Sequence, residues 1–409
     1  MLAFACYLRG RGERAETAAQ EPGFRIELRG QHLTLAAVCF GLALSAKVSA
    51  VGMLGVLAGW ELLLGPDHLE GRTGAGKKLA ACAARAGVPL LLALPFLAAN
   101  WLAARESFGR LLGGSAWGVL IGDLAIAGRY AEVLAWPTSS SPYYAFVPPE
   151  SLFEARVLLG LGILAAALAL TLVLPVEREA RRRAAFGWIW CFGAMVTYLN
   201  FVPNPEYLHD RYLYLSLPGL GLALLEAARG LAARLRLPAA KLAWPLALGL
   251  AALWSALSAR ESAHWRSDYH LFSHAVAQEP ESSHARGYLG LHLGTLALHE
   301  HREAGAFAPP GAEPAPSAQA QAWREEALAE LERAMACPDI AWNVRRLHFR
   351  LAQVVILKDL GRVEASRLKV REMHAEADRN GWDTAPDRSF LARARAIWRD
   401  MYPESQARE

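Results

Sequence analysis

The sequence predicts an all-α protein in two parts: a polytopic helical membrane domain of about seven spans, followed by an α-solenoid of paired helices. Three observations predict it. Of the 409 residues, 54% are hydrophobic and 20% are charged, against about a quarter charged in an average soluble chain. The apolar residues are unevenly spread: 31–260 holds long apolar runs, whereas 261–409 mixes apolar and polar residues at helical spacing. The runs also have the length needed to cross a bilayer, roughly 17–25 residues. This composition excludes a disordered chain, a collagen and a small disulfide scaffold. A net charge of +4, with no basic run interleaved with aromatics, argues against nucleic acid as a partner.

Residues 1–30 read as a cytoplasmic N-terminal segment. They are apolar through Leu8 and basic at Arg9, Arg11 and Arg14, the reverse of a signal peptide. The run Leu33–Leu64 is too long for one helix and is broken at Ser45-Ala46-Lys47. It predicts a hairpin of helices over 31–46 and 49–64, with Lys47 at the turn. Further spans are expected at 87–104, 155–175, 186–202, 212–229 and 243–259. Under alternation, one side carries sixteen Lys and Arg and the other five. Cytoplasmic loops are enriched in these residues, which places the tail from 261 onward outside. The outer loop 105–154 has apolar residues at helical spacing over 119–134, with Asp123, Arg129 and Glu132 among them. That pattern predicts an amphipathic helix on the outer membrane surface. Five cysteines lie in no paired spacing, so neither a disulfide nor a thiolate metal site is expected, although a bridge from Cys6 stays open.

Residues 261–409 read as an extracytoplasmic, tetratricopeptide-like domain. Leu271, Phe272 and Ala275 lead to Pro280, and a second helix carries Ala285, Tyr288, Leu289 and Leu293. Ala327, Leu331, Ala334 and Pro338 repeat the spacing of a second repeat helix, and Leu360-Gly-Arg-Val-Glu-Ala365 reads as a turn and helix start. A unit is about 34 residues. A Pro/Ala/Gly-rich stretch, 304–320, is expected as a flexible insertion. An irregular helical bundle is the alternative. Such solenoids bind extended peptide on their concave face. No HExxH is present. His270 and His274 stand four apart on one helix face, but no third ligand is evident in the sequence, so no metal site is assigned.

Four stretches resemble the transmembrane, tetratricopeptide-repeat O-mannosyltransferase-like proteins of the GT-C superfamily of polyprenyl-phosphate-sugar glycosyltransferases. They are Leu42-Ala-Leu-Ser-Ala-Lys47, Arg129-Tyr-Ala-Glu-Val-Leu-Ala-Trp-Pro137 with Tyr143-Tyr144, His209-Asp-Arg-Tyr-Leu-Tyr214, and Trp265-Arg-Ser-Asp268 with Leu271-Phe272 and Glu279-Pro280. The resemblance covers about residue 31 to the end. Two positions depart from it: Val48 stands where the family has Glu, and Asp210 where it has Glu before the Arg. The first outer loop, which carries the family's catalytic acid, has no counterpart here. The chain is therefore expected to be a fragment, to have a wrongly chosen start, or to be a homologue without catalysis, and no catalytic base is assigned.

The resemblance implies a donor sugar on a polyprenyl phosphate and an acceptor protein or peptide on the repeat face. No further cofactor is implied, and a divalent-metal requirement stays open. Arg211 is the first candidate for the lipid phosphate, because a guanidinium binds phosphate bidentately; an interfacial anchor or a salt bridge to Asp210 is its alternative. Asp210 reads as base, metal ligand or partner of Arg211. Lys47 reads as a phosphate contact or as a snorkelling cation. Tyr143, Tyr144, Tyr212 and Tyr214 read as interfacial aromatics, with Tyr143 and Tyr144 also candidates for an acceptor groove. Glu150 and Glu154 are the outer-loop acids nearest the membrane, and neither is taken as the base. The competing reading is a membrane-anchored repeat scaffold; a transporter fits less well, since no span has an acid near its middle. The Ala-, Leu- and Arg-rich usage suggests a bacterial inner membrane, with the repeats in the periplasm.

Overall fold

The computed structural model describes residues 7, 26–64, 89–91, 93–99, 102, 111–135, 140–200, 207–306, 316–342 and 345–379. The regular structure among them is helical throughout, so the fold is all-α. The expected cytoplasmic segment 1–30 lies outside the described residues, apart from Tyr7 and the first turn of α1.

Helix α1 (Ile26–Ala46) gives way to a 3-10 turn, Val48–Gly52, and then to α2 (Met53–Leu63). Lys47 is the extended residue between them (φ −158°, ψ 118°). Its N–H donates to Ala43 at 2.8 Å and its carbonyl accepts from Ala50 at 3.0 Å. The break thus falls at Lys47, where the sequence put the turn. Helices α3 (Ala116–Ala135), α4 (Ala155–Val173), α5 (Arg178–Met195), α6 (Leu217–Arg234) and α7 (Ala239–Ser262) follow.

Among the described residues, α4 is the one helix long and apolar enough to cross a membrane by itself. Shorter apolar helices occupy Thr34–Ala46, Ser49–Leu63 and Pro89–Ala99. Seven separate long apolar helices are not what the structure describes. Two of the helices are displaced from the apolar runs. Helix α5 begins at Arg178 and holds Arg181, Arg182 and Arg183 in its early turns. Helix α6 begins at Leu217, five positions after the start of the expected span, and holds Glu226, Arg229 and Arg234.

Small residues set the helix contacts. A Cβ on Gly160 of α4 would lie 1.9 Å from the Leu124 carbonyl of α3, and one on Gly128 of α3 would lie 2.5 Å from the Arg156 carbonyl of α4. The pairing 124 with 160 and 128 with 156 makes α3 and α4 antiparallel neighbours in backbone contact. The expected surface helix over 119–134 is therefore a packed one, with Val119, Ala125, Ile126 and Val133 buried. Helical spacing identified its apolar face; the glycine pair supplies the helix that covers it. Gly187 of α5 meets Gly219 and Ala223 of α6 in the same way, and Gly55 of α2 meets Gly193 of α5.

Ser262 ends α7, and a 3-10 turn, Ala263–Arg266, leads to α8 (Asp268–Gln278), whose N-cap Ser267 accepts from the His270 N–H. Helices α9 (Ser283–Ala306), α10 (Ala318–Ala336), α11 (Arg346–Asp359) and α12 (Val363–Arg379) complete the described chain. Leu289, Leu293, Leu328, Leu331, Phe349 and Ile356 form one core shared by α9, α10 and α11. The Phe349 ring fills the space over Gly287, where a Cβ would lie 2.1 Å from it. Gly361, at φ +73°, makes the turn between α11 and α12. The expected insertion 304–320 is shorter at both ends. Residues 304–306 finish α9, and 318–320 are the first turn of α10, because Ser317 caps that helix by accepting from the Ala320 N–H. Residues 307–315 lie outside the described residues.

Candidate functional site

A short 3-10 turn, Asp210–Tyr212, enters α6 from the extended residue His209. It points Tyr212 inward, at 4% exposure, and leaves Arg211 exposed. The turn is clamped from α3. The Tyr130 hydroxyl donates to the His209 carbonyl at 3.0 Å and accepts from the His209 N–H at 3.3 Å. Opposite it runs the segment 140–150, which contributes Tyr143 and Tyr144. Tyr144 is buried and its hydroxyl donates to Asp210 Oδ1 at 2.7 Å. Tyr143 faces the other way and stacks on Tyr288 of α9, with ring centroids 4.8 Å apart.

The remaining candidates join this group through aromatic rings. Tyr198, just after α5, stacks on Tyr212 at 4.0 Å. The Lys47 amine is 5.8 Å from the Tyr198 ring, and the Arg211 guanidinium is 5.5 Å from the Tyr212 ring. His209 stands edge-on to both Tyr143 and Tyr212. Lys47, Tyr143, Tyr144, Asp210, Arg211 and Tyr212 therefore belong to one contact network, although the chain separates them by up to 165 positions. Tyr214 is exposed.

Burial raises the Asp210 carboxyl above the usual aspartate range, against the hydrogen bonds it accepts and the charge of Arg129. Arg129 lies 5.0 Å over the Tyr144 ring and is bound by Glu132 at 2.8 Å and by Glu279 across the loop. Glu279 is itself raised by burial, with Arg129 opposing. Burial raises both Tyr130 and Tyr144, and the Asp210 charge raises Tyr144 further. Both phenols are thus neutral donors. Asp210 is held by Tyr144 and feels the charge of Arg129, while Arg211 lies over Tyr212.

The network sits at one end of α4. Val157, in the first turn of that helix, shares a core cluster with Tyr130, Tyr144, Leu208 and Tyr212. At the other end, Gly230 of α6 meets Leu174, and Arg183 clasps the buried Glu226 by two bonds of 3.0 and 3.2 Å, with Arg229 also on that carboxylate at 3.0 Å. Glu154 is not directed into the network. Its carboxylate accepts from the Glu150 and Ser151 N–H groups at 2.7 and 3.2 Å, which closes the turn before α4. Helix α4 accordingly starts at Ala155, where the sequence put the span.

Sequence reasoning missed three participants. Tyr198 lay at the end of an expected span, where an aromatic reads as part of the membrane belt. Tyr130 and the Arg129–Glu279 pair lay within the resembling stretches but carried no assigned role. One signal was present: the stretches with Arg129, His209-Asp-Arg-Tyr212 and Glu279 each combine a charge with neighbouring aromatics. The geometry offers two exposed cations flanking a stacked tyrosine pair, beside a buried carboxyl held by a phenol. Two cations so placed can attract an anion, and a titratable carboxyl lies next to them. No family model matches the chain, and neither a curated protein nor a solved structure matches it.

Proposed function

We propose that the chain is a membrane glycosyltransferase-like protein that binds a sugar-bearing polyprenyl phosphate. In this reading 31–260 forms a polytopic domain of the GT-C kind, and the helices from 261 onward hold the acceptor protein or peptide outside the bilayer. The single observation that carries it is the convergence of four distant stretches. Lys47 lies over Tyr198, which stacks on Tyr212; Tyr144 meets Asp210; Arg129 meets Glu279; and Tyr143 lies 6.3 Å from Phe272. These are the four stretches on which the family resemblance rests, and nothing in an isolated motif requires them to touch.

Two further features support the reading. Lipid provides little hydrophobic drive between helices, so membrane helices associate through small residues that let backbones approach. The contacts at Gly55, Gly128, Gly160, Gly187 and Gly219 are of that kind. The network lies at the N-terminal end of α4, at an interface level if α4 spans, while arginines gather at the opposite end, as the positive-inside rule expects of a cytoplasmic face. Arg211 and Lys47 then meet the lipid phosphate and stabilise the charge that grows on it as the sugar leaves. The setting is an inner membrane, with the acceptor side in the periplasm.

Binding tests this directly. The purified chain in detergent micelles should retain undecaprenyl phosphate in native mass spectrometry, and Arg211→Ala should lose most of it while keeping the helical circular dichroism. Equal retention by Arg211→Ala and by Lys47→Ala removes the phosphate-binding role and leaves the membrane-anchored scaffold as the better reading.

A further inference from the structure

Independently of that reading, we propose a divalent transition-metal site of the zinc type, formed by Glu261, His264 and His274 at the junction of α7 and α8. One ligand atom from each of the three lies within 4.8 Å of the others. Glu261 is on the last turn of α7, His264 on the 3-10 turn after it, and His274 on α8. The chain doubles back at the extended residue Ser267, which brings His264 face to face with His274, their rings 3.7 Å apart and 6° from parallel. Glu261 Oε2 lies 3.5 Å from His274 Nε2. Two ligands on a common tetrahedral zinc are roughly 3.4 Å apart at bond lengths of about 2.0–2.1 Å.

Two observations point to a cation at this place. His274 Nε2 is sealed from solvent, and the partner facing it is the Glu261 carboxylate at 3.5 Å. The set of two nitrogens and one carboxylate oxygen matches a three-ligand zinc site with an open fourth position, whereas calcium and magnesium take oxygen ligands. His270, the sequence's candidate partner for His274, is instead 2.7 Å from Ser267 Oγ through Nδ1. Turning the two rings out of their stack aims them at one ion, which would tie α7 to α8 across the turn.

Isothermal titration of zinc chloride into the chelator-stripped full chain in micelles tests the proposal. One equivalent is expected in the wild type. His264→Ala, His264→Gln and His274→Ala should each weaken it by more than roughly a hundredfold, beyond the loss typical of an outer-sphere partner. His270→Ala should leave it unchanged and so report background from the other histidines. Cobalt should give the visible absorption of a four-coordinate site in the wild type and lose it in His274→Ala. Zinc binding that is unchanged in the folded His264→Gln and His274→Ala chains, or a wild type that binds no more than His274→Ala, overturns the proposal.

Discussion

Arg129 faces a carboxylate on each side: Glu132 one turn further along α3, and Glu279 150 positions later in the chain. The side chains of Arg129 and Glu279 are 15% and 16% exposed, so their attraction is only partly screened. Burial nevertheless raises Glu279, which means that the folded chain holds its proton more tightly than the unfolded one. Stability from such a group is fully present below the unfolded value and is lost as pH rises through the folded one. Removing the arginine sharpens that loss. Arg129→Ala should cost roughly 2 kcal/mol at neutral pH, less than the 3–5 kcal/mol of a fully buried pair, and the cost should shrink toward pH 5 as Glu279 takes up a proton. Adding Glu279→Gln should recover most of it. Thermal unfolding of the single and double variants at the two pH values checks the coupling; additive losses would mean that the pair does not act as a unit. The sequence displayed both residues but could not show that they meet. The same holds for Tyr144 and Asp210, 66 positions apart. His274 makes the point more sharply, because the neighbour at helical spacing was His270 and the neighbour in space is His264.

Helix identity was more legible than helix partnership. An apolar run over 155–175 and a break at Lys47 are local signals, and the structure has helix ends at Val173 and at Lys47. The cover for α3 is not local. Its apolar face is readable at 3.6-residue spacing, yet its partner follows from Gly128 and Gly160, and a glycine in a sequence does not say what approaches it. Their roles are separable by substitution. Gly160→Ala drives a methyl group into the Leu124 carbonyl, an overpacking that should cost on the order of 1–3 kcal/mol as the helices part. At Gly162, one half-turn on, an added Cβ would meet nothing within 4 Å, and Gly162→Ala should gain up to about 1 kcal/mol in helix propensity. Denaturation of both variants in one detergent compares them. Equal effects of either sign would mean that α3 and α4 do not cross at these glycines.

At the scale of the whole molecule, the question is what covers the apolar surface. A core helix of a water-soluble protein is mostly buried, but only 17% of the apolar stretch of α4 is. Leu168 is 62% exposed there, and on α7 Trp244 and Leu248 are 74% and 65% exposed. Each such side chain forgoes roughly 1.5–3 kcal/mol of burial if it faces water. A bilayer removes that cost for α4 by length alone. Helix α7 differs, since Pro245 stands within it and Lys241 near its start. Spin labels distinguish the two helices. With the five native cysteines replaced, Leu168→Cys, Leu248→Cys and Leu298→Cys carry the label in turn, the last on α9 as the aqueous reference. In vesicles, the labels at 168 and 248 should collide with oxygen far more than with a water-soluble nickel chelate, and the label at 298 should do the reverse. Chelate access at 248 alone would take α7 out of the bilayer and reduce the number of spans. Chelate access at 168 as well would end the membrane reading, and with it the lipid-phosphate donor, because the Arg211 network would then face water on every side.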